Sequence, residues 1–493
     1  MKKPSDDLFR IIHSMKPSEK RYYKIHFASE GSVLTDLFDY LNAQDAYDEQ
    51  SVKQFFREKG APNFKVYKNQ LRQQVLKSLT SFHHKRGVMS KIRQGLEEVE
   101  VLAEKQLYDL AIDQLEKIRQ ICEQYEEYTY LIEIARLDYF LGHIARDKPG
   151  LGTHPAYETI EKSLRHLRRQ TKLSHLSNEL IDSARKAEQE GLSEAGAREL
   201  QNLLQFPLLQ DSPSASTVEK LSRNIAKSRI YELLGEDAKG SQMRRENVQL
   251  FRREAYLKES MPIQYLGVLR NYLNDCLRQE DYEEVAQLLE EGKAFAERYT
   301  RVQHHLSYFL YVELEMYFRQ CRFEQLLKQA PKVIRHLKHN QIAGERIAFL
   351  IYGIVFIAHL ATRRHKEAAA YLRMIQDSRE EVRQIFTGLP FIFEWISFFD
   401  AGEDYLADHL LQSFRRRSRK KISDPFLQSL LCFFRNLLAE PLNRRQLTRQ
   451  FIDSLDQFEE KGVLLCFRHF RLEDWLRALS RGQTIAEACG DGG

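Results

Sequence analysis

A similar string of residues recurs about every 40 positions in the second half of this chain. The copies are RQEDYEEVAQLL around Tyr282, RQCRFEQLLKQA around Phe323, ATRRHKEAAAYL around His365 and DAGEDYLADHLL around Tyr405. Their centres are separated by 41, 42 and 40 residues. A near-constant period of this length is typical of stacked supersecondary units, which bury their apolar faces against their neighbours. The 493 residues are therefore expected to form a repeat array and not one small core.

Each copy has the apolar spacing of an α-helix. In the Tyr282 copy the predicted buried face consists of Val285, Leu288, Leu289, Phe295, Ala296 and Tyr299. An earlier copy, which begins at Ala103, has the same spacing in Leu107, Leu110, Ala111, Leu115, Ile118, Ile121 and Tyr125. A second apolar helix separates successive copies, so each unit is predicted to be a helix, a short polar turn and a helix. The aromatic residue after the turn is expected to wedge the two helices, and Ala286 and Ala369 are expected to admit a neighbouring backbone.

Low glycine and proline contents, 22 and 12 residues, favour long helices over a turn-rich β fold. The pattern resembles the tetratricopeptide-repeat class of α-solenoids, although its units are longer than about 34 residues and the family's Trp and Gly-Tyr positions are missing. The resemblance implies an all-α fold, an α-solenoid of stacked antiparallel helix pairs, over residues 90–145 and 225–415. Between residues 145 and 225 the register stays open, and Ser216 or Thr217 is predicted to cap the helix that follows.

The first 88 residues differ from the array and are predicted to form a basic N-terminal helical module. Helices are expected at residues 6–15, capped by Ser5, from Pro17 onward, and over LTDLFDYLN, EQSVKQFFREKG and NFKVYKNQLRQQVLKSLTSFHHK. The motifs MKPSEKRYYKIHFASEG, LFDYLNAQDAYDE and YKNQLRQQVLKSLTSFH, followed by helical repeats, resemble a group of uncharacterised bacterial proteins. That resemblance implies a helical, tetratricopeptide-like fold and a cytoplasmic location, and it implies no activity.

Three regions are predicted along the chain. They are the N-terminal module at 1–88, a helical-repeat array at 89–480 that is irregular around 145–225, and a flexible tail at 481–493. The segment GVLLCFRHFRLEDWLRALSRG near the end of the array is amphipathic, with Leu464, Phe467, Phe470, Leu472, Trp475, Leu476 and Leu479 on its apolar face. It is expected to cap the array, and self-association of two copies through it is the alternative.

Cysteine usage and hydropathy favour a cytoplasmic protein. The six cysteines are scattered without a C-x-x-C pair, which is typical of free thiols in a reducing compartment. The first 20 residues lack the apolar stretch of a secretory signal. The most apolar run, IAFLIYGIVFIAHLA at 347–361, is shorter than the roughly 20 residues that span a bilayer, so it is predicted to be a buried helix.

Motifs of common catalytic and cofactor sites are missing from the sequence. There is no G-x-x-x-x-G-K-[ST] or G-x-G-x-x-G phosphate cradle and no H-E-x-x-H helix. Cys466 and His469 have a C-x-x-H spacing, but a second ligand pair is lacking nearby, so they are interpreted as core residues and not zinc ligands. We therefore expect no enzyme activity, no cofactor and no metal site.

Basic charge is concentrated in two segments. Residues 1–90 hold 16 Lys and Arg against 10 Asp and Glu, and residues 411–450 hold 10 against 2. Within SFRRRSRKKISDP, the candidate partner-binding residues are Arg415, Arg416, Arg417, Arg419, Lys420 and Lys421. The cluster is also interpreted as a solvated helix end, where cations favour the negative end of the helix dipole, with Asp424 capping the next helix.

Two functions remain open at this stage. The first is a non-enzymatic scaffold that binds a protein or peptide on its helical-repeat surface, as stacked helix pairs commonly do. The alternative is a nucleic-acid-associated protein that uses the basic segments 1–88 and 415–421. The basic run has no interleaved aromatic residues for base stacking, so it is expected to contact phosphates and not to read sequence.

Overall fold

The structure, a computed structural model, describes residues 6–29, 31–58, 63–83, 87–145, 155–299, 305–339, 345–380, 382, 386, 388–418, 424–459 and 462–490. Within these ranges the regular elements are helices and no strand occurs. The chain divides into two compact units, residues 1–261 and 262–493. The boundaries expected at residues 88 and 480 describe a different division and stay predictions.

The helices follow one another with short connections. In the first unit they are α1 (Asp7–Ser14), α2 (Pro17–His26), α3 (Val33–Ala43), α4 (Glu49–Glu58), α5 (Phe64–His83), α6 (Val88–Glu104), α7 (Tyr108–Gln124), α8 (Tyr128–Ala145), α9 (Pro155–Glu190), α10 (Glu194–Leu204), α11 (Thr217–Leu233), α12 (Asp237–Arg253) and α13 (Ala255–Ser260).

In the second unit they are α14 (Pro262–Arg278), α15 (Tyr282–Arg298), α16 (Leu306–Arg319), α17 (Phe323–His339), α18 (Glu345–Ala361), α19 (His365–Gln376), α20 (Leu389–Asp400), α21 (Asp404–Ser418), α22 (Pro425–Ala439), α23 (Arg444–Asp453), α24 (Gly462–His469), α25 (Leu472–Arg481) and α26 (Ile485–Gly490). From α6 to α9 and from α14 to α23, each helix packs against the next in the chain. The predicted all-α fold with helices packed in sequence order is confirmed.

The same turn joins the two helices of several pairs. Residues with a left-handed backbone in these turns are Glu280, Cys321 and Arg363, with φ of 59°, 55° and 58°. In each turn the next residue donates its N–H to a carbonyl five residues earlier, as from Arg322 to Tyr317 at 2.9 Å. This Schellman arrangement satisfies carbonyl groups left open at a helix end. The second helices begin at Tyr282, Phe323 and His365, the residues on which the copies align.

The fourth residue of each second helix is buried. This position is occupied by Ala111, Val285, Leu326, Ala368 and Ala407, each 0% exposed. Ala286 is exposed, so the prediction that it admits a neighbouring backbone is wrong. It lies one residue beyond the buried position, about 100° further around the helix.

The aromatic residue after the turn does not have the same environment in every copy. Phe323 is 4% exposed and lies 6.1 Å from Phe318, ring centre to ring centre, as a wedge between helices should. Tyr405 is 81% exposed, so the predicted wedge is wrong in that copy. Helix α21 begins at Asp404, and Tyr405 is therefore one position later in its helix than Phe323 is in α17.

Helices α1 to α5 share a core in which Tyr23 stacks on Phe38 at 4.4 Å. Glu19 ties two of these helices together. Its carboxylate accepts the Lys16 backbone N–H at 2.7 Å and lies 2.8 Å from His83 Nε2 at the end of α5. The predicted N-terminal helices are observed, while Ser5, the expected cap, lies outside the described residues.

The apolar run at 347–361 lies within α18, where the prediction of a buried helix is confirmed, for instance by Ile354 and Phe356 at 0% exposure. No helix among the described residues combines the length and the apolar character needed to cross a bilayer.

Residues 462–490, here called the C-terminal segment, pack onto the first helices of four successive pairs. Phe470 lies against Gly353 of α18, so closely that a Cβ there would be 2.3 Å from its ring. The Arg471 guanidinium donates to the Arg319 carbonyl at the end of α16 at 2.5 Å. On α20 and α22 the contacts are Trp475 Nε1 to Asp400 Oδ1 at 2.9 Å, and Phe467 to Phe426 at 5.3 Å.

The apolar face predicted for this segment is thus buried within the chain. Leu464, Phe467, Phe470, Leu472 and Leu476 are 0% exposed. Helix α26 lies inside the region expected to be a tail, and its Ile485 and Ala488 are 5% and 4% exposed. Residues 491–493 lie outside the described residues.

Candidate functional site

Half of the predicted basic patch lies on a described helix. Arg415, Arg416 and Arg417 occupy the last turn of α21, where all three are exposed. Arg417 Nη2 donates to Ser413 Oγ at 2.8 Å, and among the described residues none of the three arginines forms an ion pair with a carboxylate. Arg419, Lys420 and Lys421 lie outside the described residues. The patch therefore keeps an exposed positive charge at a helix C-terminus, and its binding role stays a prediction.

An apolar groove in the first unit is a feature that the sequence did not single out. It has a volume of about 340 Å³ and lies where the end of α6 and the start of α7 meet the second half of α8. The residues that line it, here the α8 groove, are Val99, Glu100, Ala103, Glu104, Tyr108, Leu137, Phe140, Leu141 and Ile144. Val99 and Leu141 are buried, whereas Phe140 and Ile144 are 55% and 43% exposed.

The helices around the groove carry more apolar residues than their shared core covers. The buried stripe of α7 consists of Ala111, Leu115, Ile118 and Cys122. Leu107 and Leu110, which the helical spacing placed on the same face, are 43% and 47% exposed, so that part of the prediction is wrong. Leu110 lies beside the stripe on α7, whereas Leu107 precedes the first residue of that helix.

Two carboxylates border the groove. Glu100 and Glu104 lie one helical turn apart on α6, and both are exposed at its margin. A ligand that fills the groove would therefore meet an apolar surface beside a negatively charged edge. This combination suits an amphipathic segment whose apolar residues are followed by Lys or Arg.

A buried charged cluster lies elsewhere in the first unit. The Glu219 carboxylate, 2% exposed, lies 2.7 Å from His166 Nδ1 and 3.0 Å from Arg169 Nε. Tyr128 stacks on the His166 imidazole at 4.4 Å. The contacts of the Glu219 carboxylate with His166 and Arg169 join α9 to α11.

The N-terminus of α11 is capped close to this cluster. Ser216 Oγ accepts the Glu219 N–H at 3.2 Å, which identifies Ser216 as the cap among the two predicted residues. The Glu126 carboxylate, from the turn between α7 and α8, accepts the N–H groups of Thr217 and Val218 at 2.7 and 3.0 Å. A negative charge is stabilised at a helix N-terminus, so Glu126 fixes this turn to α11.

A smaller polar cavity of about 320 Å³ lies beside the C-terminal segment. Its polar lining comes from Arg363, His365, Asp400, Gln483 and Thr484. Burial raises the pKa of the Asp400 carboxyl, while its bond from Trp475 Nε1 opposes that shift. The bond shows that this carboxylate positions Trp475.

Metal-ligating side chains do not cluster in the part of the chain that the structure describes, where no group of three or more His, Cys, Asp and Glu residues could hold an ion. Burial raises the pKa of the Cys466 thiol and lowers the pKa of His469. His469 Nε2 lies 3.4 Å from the Tyr311 hydroxyl, so its contact is with α16.

The fold defines this chain as an all-helical protein of consecutively packed helices. In comparisons with known proteins, no family model matches the chain, and no curated protein or solved structure shows significant similarity to it. The arguments for function therefore rest on the geometry of the chain itself.

Proposed function

We propose that this protein is a non-enzymatic scaffold that binds an amphipathic segment of a protein partner in the α8 groove. The observation that supports the proposal is the pair of exposed apolar side chains, Phe140 and Ile144, above a floor of buried apolar residues. They lie four residues apart on one helix, and so they form one continuous apolar edge. Burying a side chain as large as Phe stabilises a complex by about 1.5–3 kcal/mol, and such aromatic anchors dominate protein interfaces.

The margin of the groove restricts the partner further. Glu100 and Glu104 would stand next to the bound segment, and a basic flank on that segment would complement them. Complementary charge of this kind sets the orientation and the rate of association more than it sets the affinity. The partner we propose is therefore an amphipathic helix with apolar residues on one face and Lys or Arg beside them.

The architecture that carries this groove is, in our proposal, an α-solenoid of tetratricopeptide-like helix pairs. Its support is the recurring Schellman turn and the burial of the fourth residue in each second helix. We further propose a cytoplasmic location, because all six cysteines are free thiols.

The open groove lies in the first unit for a physical reason. In the second unit the C-terminal segment already covers the first helices α16, α18, α20 and α22 with Arg471, Phe470, Trp475 and Phe467, respectively. A surface of stacked helices that could receive a peptide is thus occupied there by the chain itself. Since an array needs an accessible apolar surface to bind a segment, the α8 groove is the better site.

Replacing Phe140 by Asp is expected to weaken binding of a basic amphipathic peptide at least about tenfold, because a charge then replaces the aromatic anchor. The probe is a fluorescent helical peptide with a Leu- and Phe-rich face flanked by Lys, and the measurement is its anisotropy with the full chain. A matched peptide flanked by Glu is expected to bind less tightly to the wild-type protein, owing to Glu100 and Glu104.

The control is Phe206→Asp, which changes an apolar residue of similar exposure, 58%, outside the groove. It is expected to leave peptide binding unchanged. Equal losses for both variants, or equal affinities for the Lys- and Glu-flanked peptides, would contradict the proposal. Circular dichroism of each variant establishes that a loss of binding is not a loss of folding.

A second candidate function is nucleic-acid association through the basic segments 1–88 and 415–421. The observation that favours it is the exposure of Arg415, Arg416 and Arg417 in the last turn of α21. Within 1–88, by contrast, Lys24 pairs with Asp39 at 2.7 Å, and Lys53 pairs with Glu49. Some of that segment's positive charge is thus already neutralised.

Replacing Arg415, Arg416, Arg417, Arg419, Lys420 and Lys421 by Ala is expected to abolish capture of a partner that depends on this patch, without changing the unfolding transition. If that partner is nucleic acid, its binding falls steeply with salt, by a slope of about 0.9 per phosphate contact, and nuclease treatment of the lysate removes it. A double variant, Arg185→Ala with Arg198→Ala, removes exposed arginines elsewhere and serves as the control. Unchanged capture by the six-residue variant would exclude the patch.

A further inference from the structure

Two cysteines that are distant in sequence flank a contact between the C-terminal segment and the end of α16. Cys321 has a left-handed backbone, φ 55°, in the turn between α16 and α17, and Cys489 lies in α26. The Cys321 sulfur lies 4.0 Å from the Arg319 carbonyl oxygen, which accepts from Arg471 Nη1, and Arg471 Nη2 lies 3.8 Å from the Cys489 sulfur. Both residues are half-buried, so a small molecule in solvent has access to them.

Charged groups surround this thiol pair. Arg471 Nη2 lies 3.8 Å from Cys489 Sγ and also interacts with the Cys321 side chain. Arg471 is itself held by Asp474, Nε to Oδ2 at 2.5 Å, and by its bond to the Arg319 carbonyl. Asp474 Oδ2 lies 3.4 Å from Cys489 Sγ and is 4% exposed as a residue. At Cys321 the charge of Arg471 outweighs that of Asp474 and favours the thiolate, whereas at Cys489 the charge of Asp474 outweighs that of Arg471 and favours the thiol.

The two thiols differ accordingly in acidity. The hydrogen bond from Cys489 lowers the pKa of the Cys321 thiol, against the effect of burial, and the Arg471 charge lowers it further. The same hydrogen bond, together with burial, raises the pKa of Cys489. Burial raises the pKa of Cys122 to about 12 and that of Cys276 to about 11. The thiolate is the reactive form of cysteine, so Cys321 has the advantage over these buried thiols.

We propose that Cys321 and Cys489 form a redox modification site, at which a peroxide converts the thiol pair into an intramolecular disulfide. The contact between Arg471 and the Arg319 carbonyl, which the two sulfurs flank, carries this inference. A disulfide needs the two Cβ atoms within about 4.5 Å, and the bond from Arg471 to the Arg319 carbonyl already holds the turn of Cys321 against the segment that carries Cys489.

The chemistry balances with hydrogen peroxide as the oxidant. The Cys321 thiolate attacks one peroxide oxygen, so that an S–O bond forms, the O–O bond breaks, and the departing hydroxide takes a proton to become water. Cys489, whose proton the Asp474 carboxylate is placed to accept, then attacks the sulfenic sulfur of Cys321. The S–S bond forms as the S–O bond breaks, and the second hydroxide leaves as water with that proton. Two thiols are oxidised and one peroxide is reduced to two waters.

The disulfide would tie α26 to the turn between α16 and α17. These elements belong to the second unit, where the C-terminal segment covers the first helices of the pairs. A cross-link across so long a stretch of chain restricts the unfolded state, so the oxidised protein is expected to unfold at a higher temperature than the reduced protein. Reduction by a dithiol would reverse both the bond and the shift.

The test uses the full-length reduced protein, treated with a few equivalents of hydrogen peroxide and then digested without reduction. Mass spectrometry is expected to find a peptide pair joined through Cys321 and Cys489, about 2 Da lighter than the two free peptides together, and dithiothreitol is expected to remove it. In Cys489→Ser, a dimedone adduct is expected to accumulate on Cys321, because the sulfenic acid lacks its resolving thiol. In Cys321→Ser, Cys489 is expected to remain unmodified.

Cys432 provides the matched control, since it is exposed and free. Cys432→Ser is expected to leave the Cys321–Cys489 disulfide and its rate of formation unchanged. The proposal is overturned if the wild-type protein forms no such linked peptide pair, or if Cys432 reacts with peroxide as fast as Cys321. It is also overturned if the linkage joins two different molecules, which a dilution series and non-reducing electrophoresis reveal.

Discussion

Replacing Trp475 by alanine is expected to lower the free energy of unfolding of residues 262–493 by about 3–5 kcal/mol, the usual cost of truncating a buried Trp. Trp475 is 2% exposed, and its ring meets Trp395, Phe399 and Phe434 edge to face at 6.2–6.4 Å. The variant also removes the N–H that Asp400 accepts. The measurement is a urea titration followed by the fluorescence of Trp395, which is then the one tryptophan left in the chain.

The control for this prediction is Leu465→Ala on the neighbouring helix α24, where the side chain is 51% exposed. Its effect is expected to stay within about 0.5 kcal/mol, as for most surface substitutions. If Trp475→Ala and Leu465→Ala shifted the urea midpoint equally, the docking of the C-terminal segment on α20 and α22 would be wrong.

Alanine substitutions at two glycines test whether the C-terminal segment packs against α18. Gly353→Ala would place a Cβ 2.3 Å from the Phe470 ring and is expected to destabilise by roughly 1–3 kcal/mol, as overpacking does. Gly267, in α14, has no atom within 4 Å of the added Cβ. Gly267→Ala is therefore expected to stabilise by about 0.5–1 kcal/mol through helix propensity alone. Stabilisation by both variants would mean that Phe470 does not pack against α18.

Replacing Glu219 by Gln is expected to cost about 3 kcal/mol of stability, because it leaves His166 and Arg169 beside a neutral partner in a buried site. This value is the lower end of the range for broken buried pairs, since the Arg169 side chain is 37% exposed and can turn toward water. Hydrogen exchange followed by mass spectrometry is the measurement, with faster exchange expected in peptides from α9 and α11.

The control here is Glu194→Gln, which removes a carboxylate that is 94% exposed and 3.7 Å from Arg198. Exposed ion pairs contribute little, so its effect is expected to stay below about 0.5 kcal/mol. If α9 and α11 exchanged as slowly in the Glu219 variant as in the wild-type protein, the cluster would not hold these helices together.

Much of the local architecture followed from sequence patterns. Helix starts at Tyr282, Phe323 and His365 were predictable, because the apolar period and the polar turn before it are local signals. Ser216 and Asp424 cap α11 and α22 as their residue types and positions indicated. The class of fold followed from the same signals.

The candidate functional sites were harder to predict from the sequence than the helices were. Phe140 and Leu110 fit an apolar helical face as well as the buried Leu115 does, so the sequence could not show which of them lack a neighbour. The sequence contained one signal of an uncovered surface, because α7 carries more apolar residues than its buried stripe uses. The basic run at 415–421 was visible as composition, yet composition does not distinguish a binding patch from a solvated helix end.

The sequence by itself determined that this protein is helical and where the helices of the repeated strings begin, because those properties depend on residues within one or two turns of each other. The tertiary structure alone decided which apolar faces are covered. The C-terminal segment lies on α16, α18, α20 and α22, and Cys489 and Cys321 flank the Arg319–Arg471 contact, through contacts between residues far apart in the chain. Such contacts depend on the shape of the whole packed surface, which no short stretch of sequence encodes.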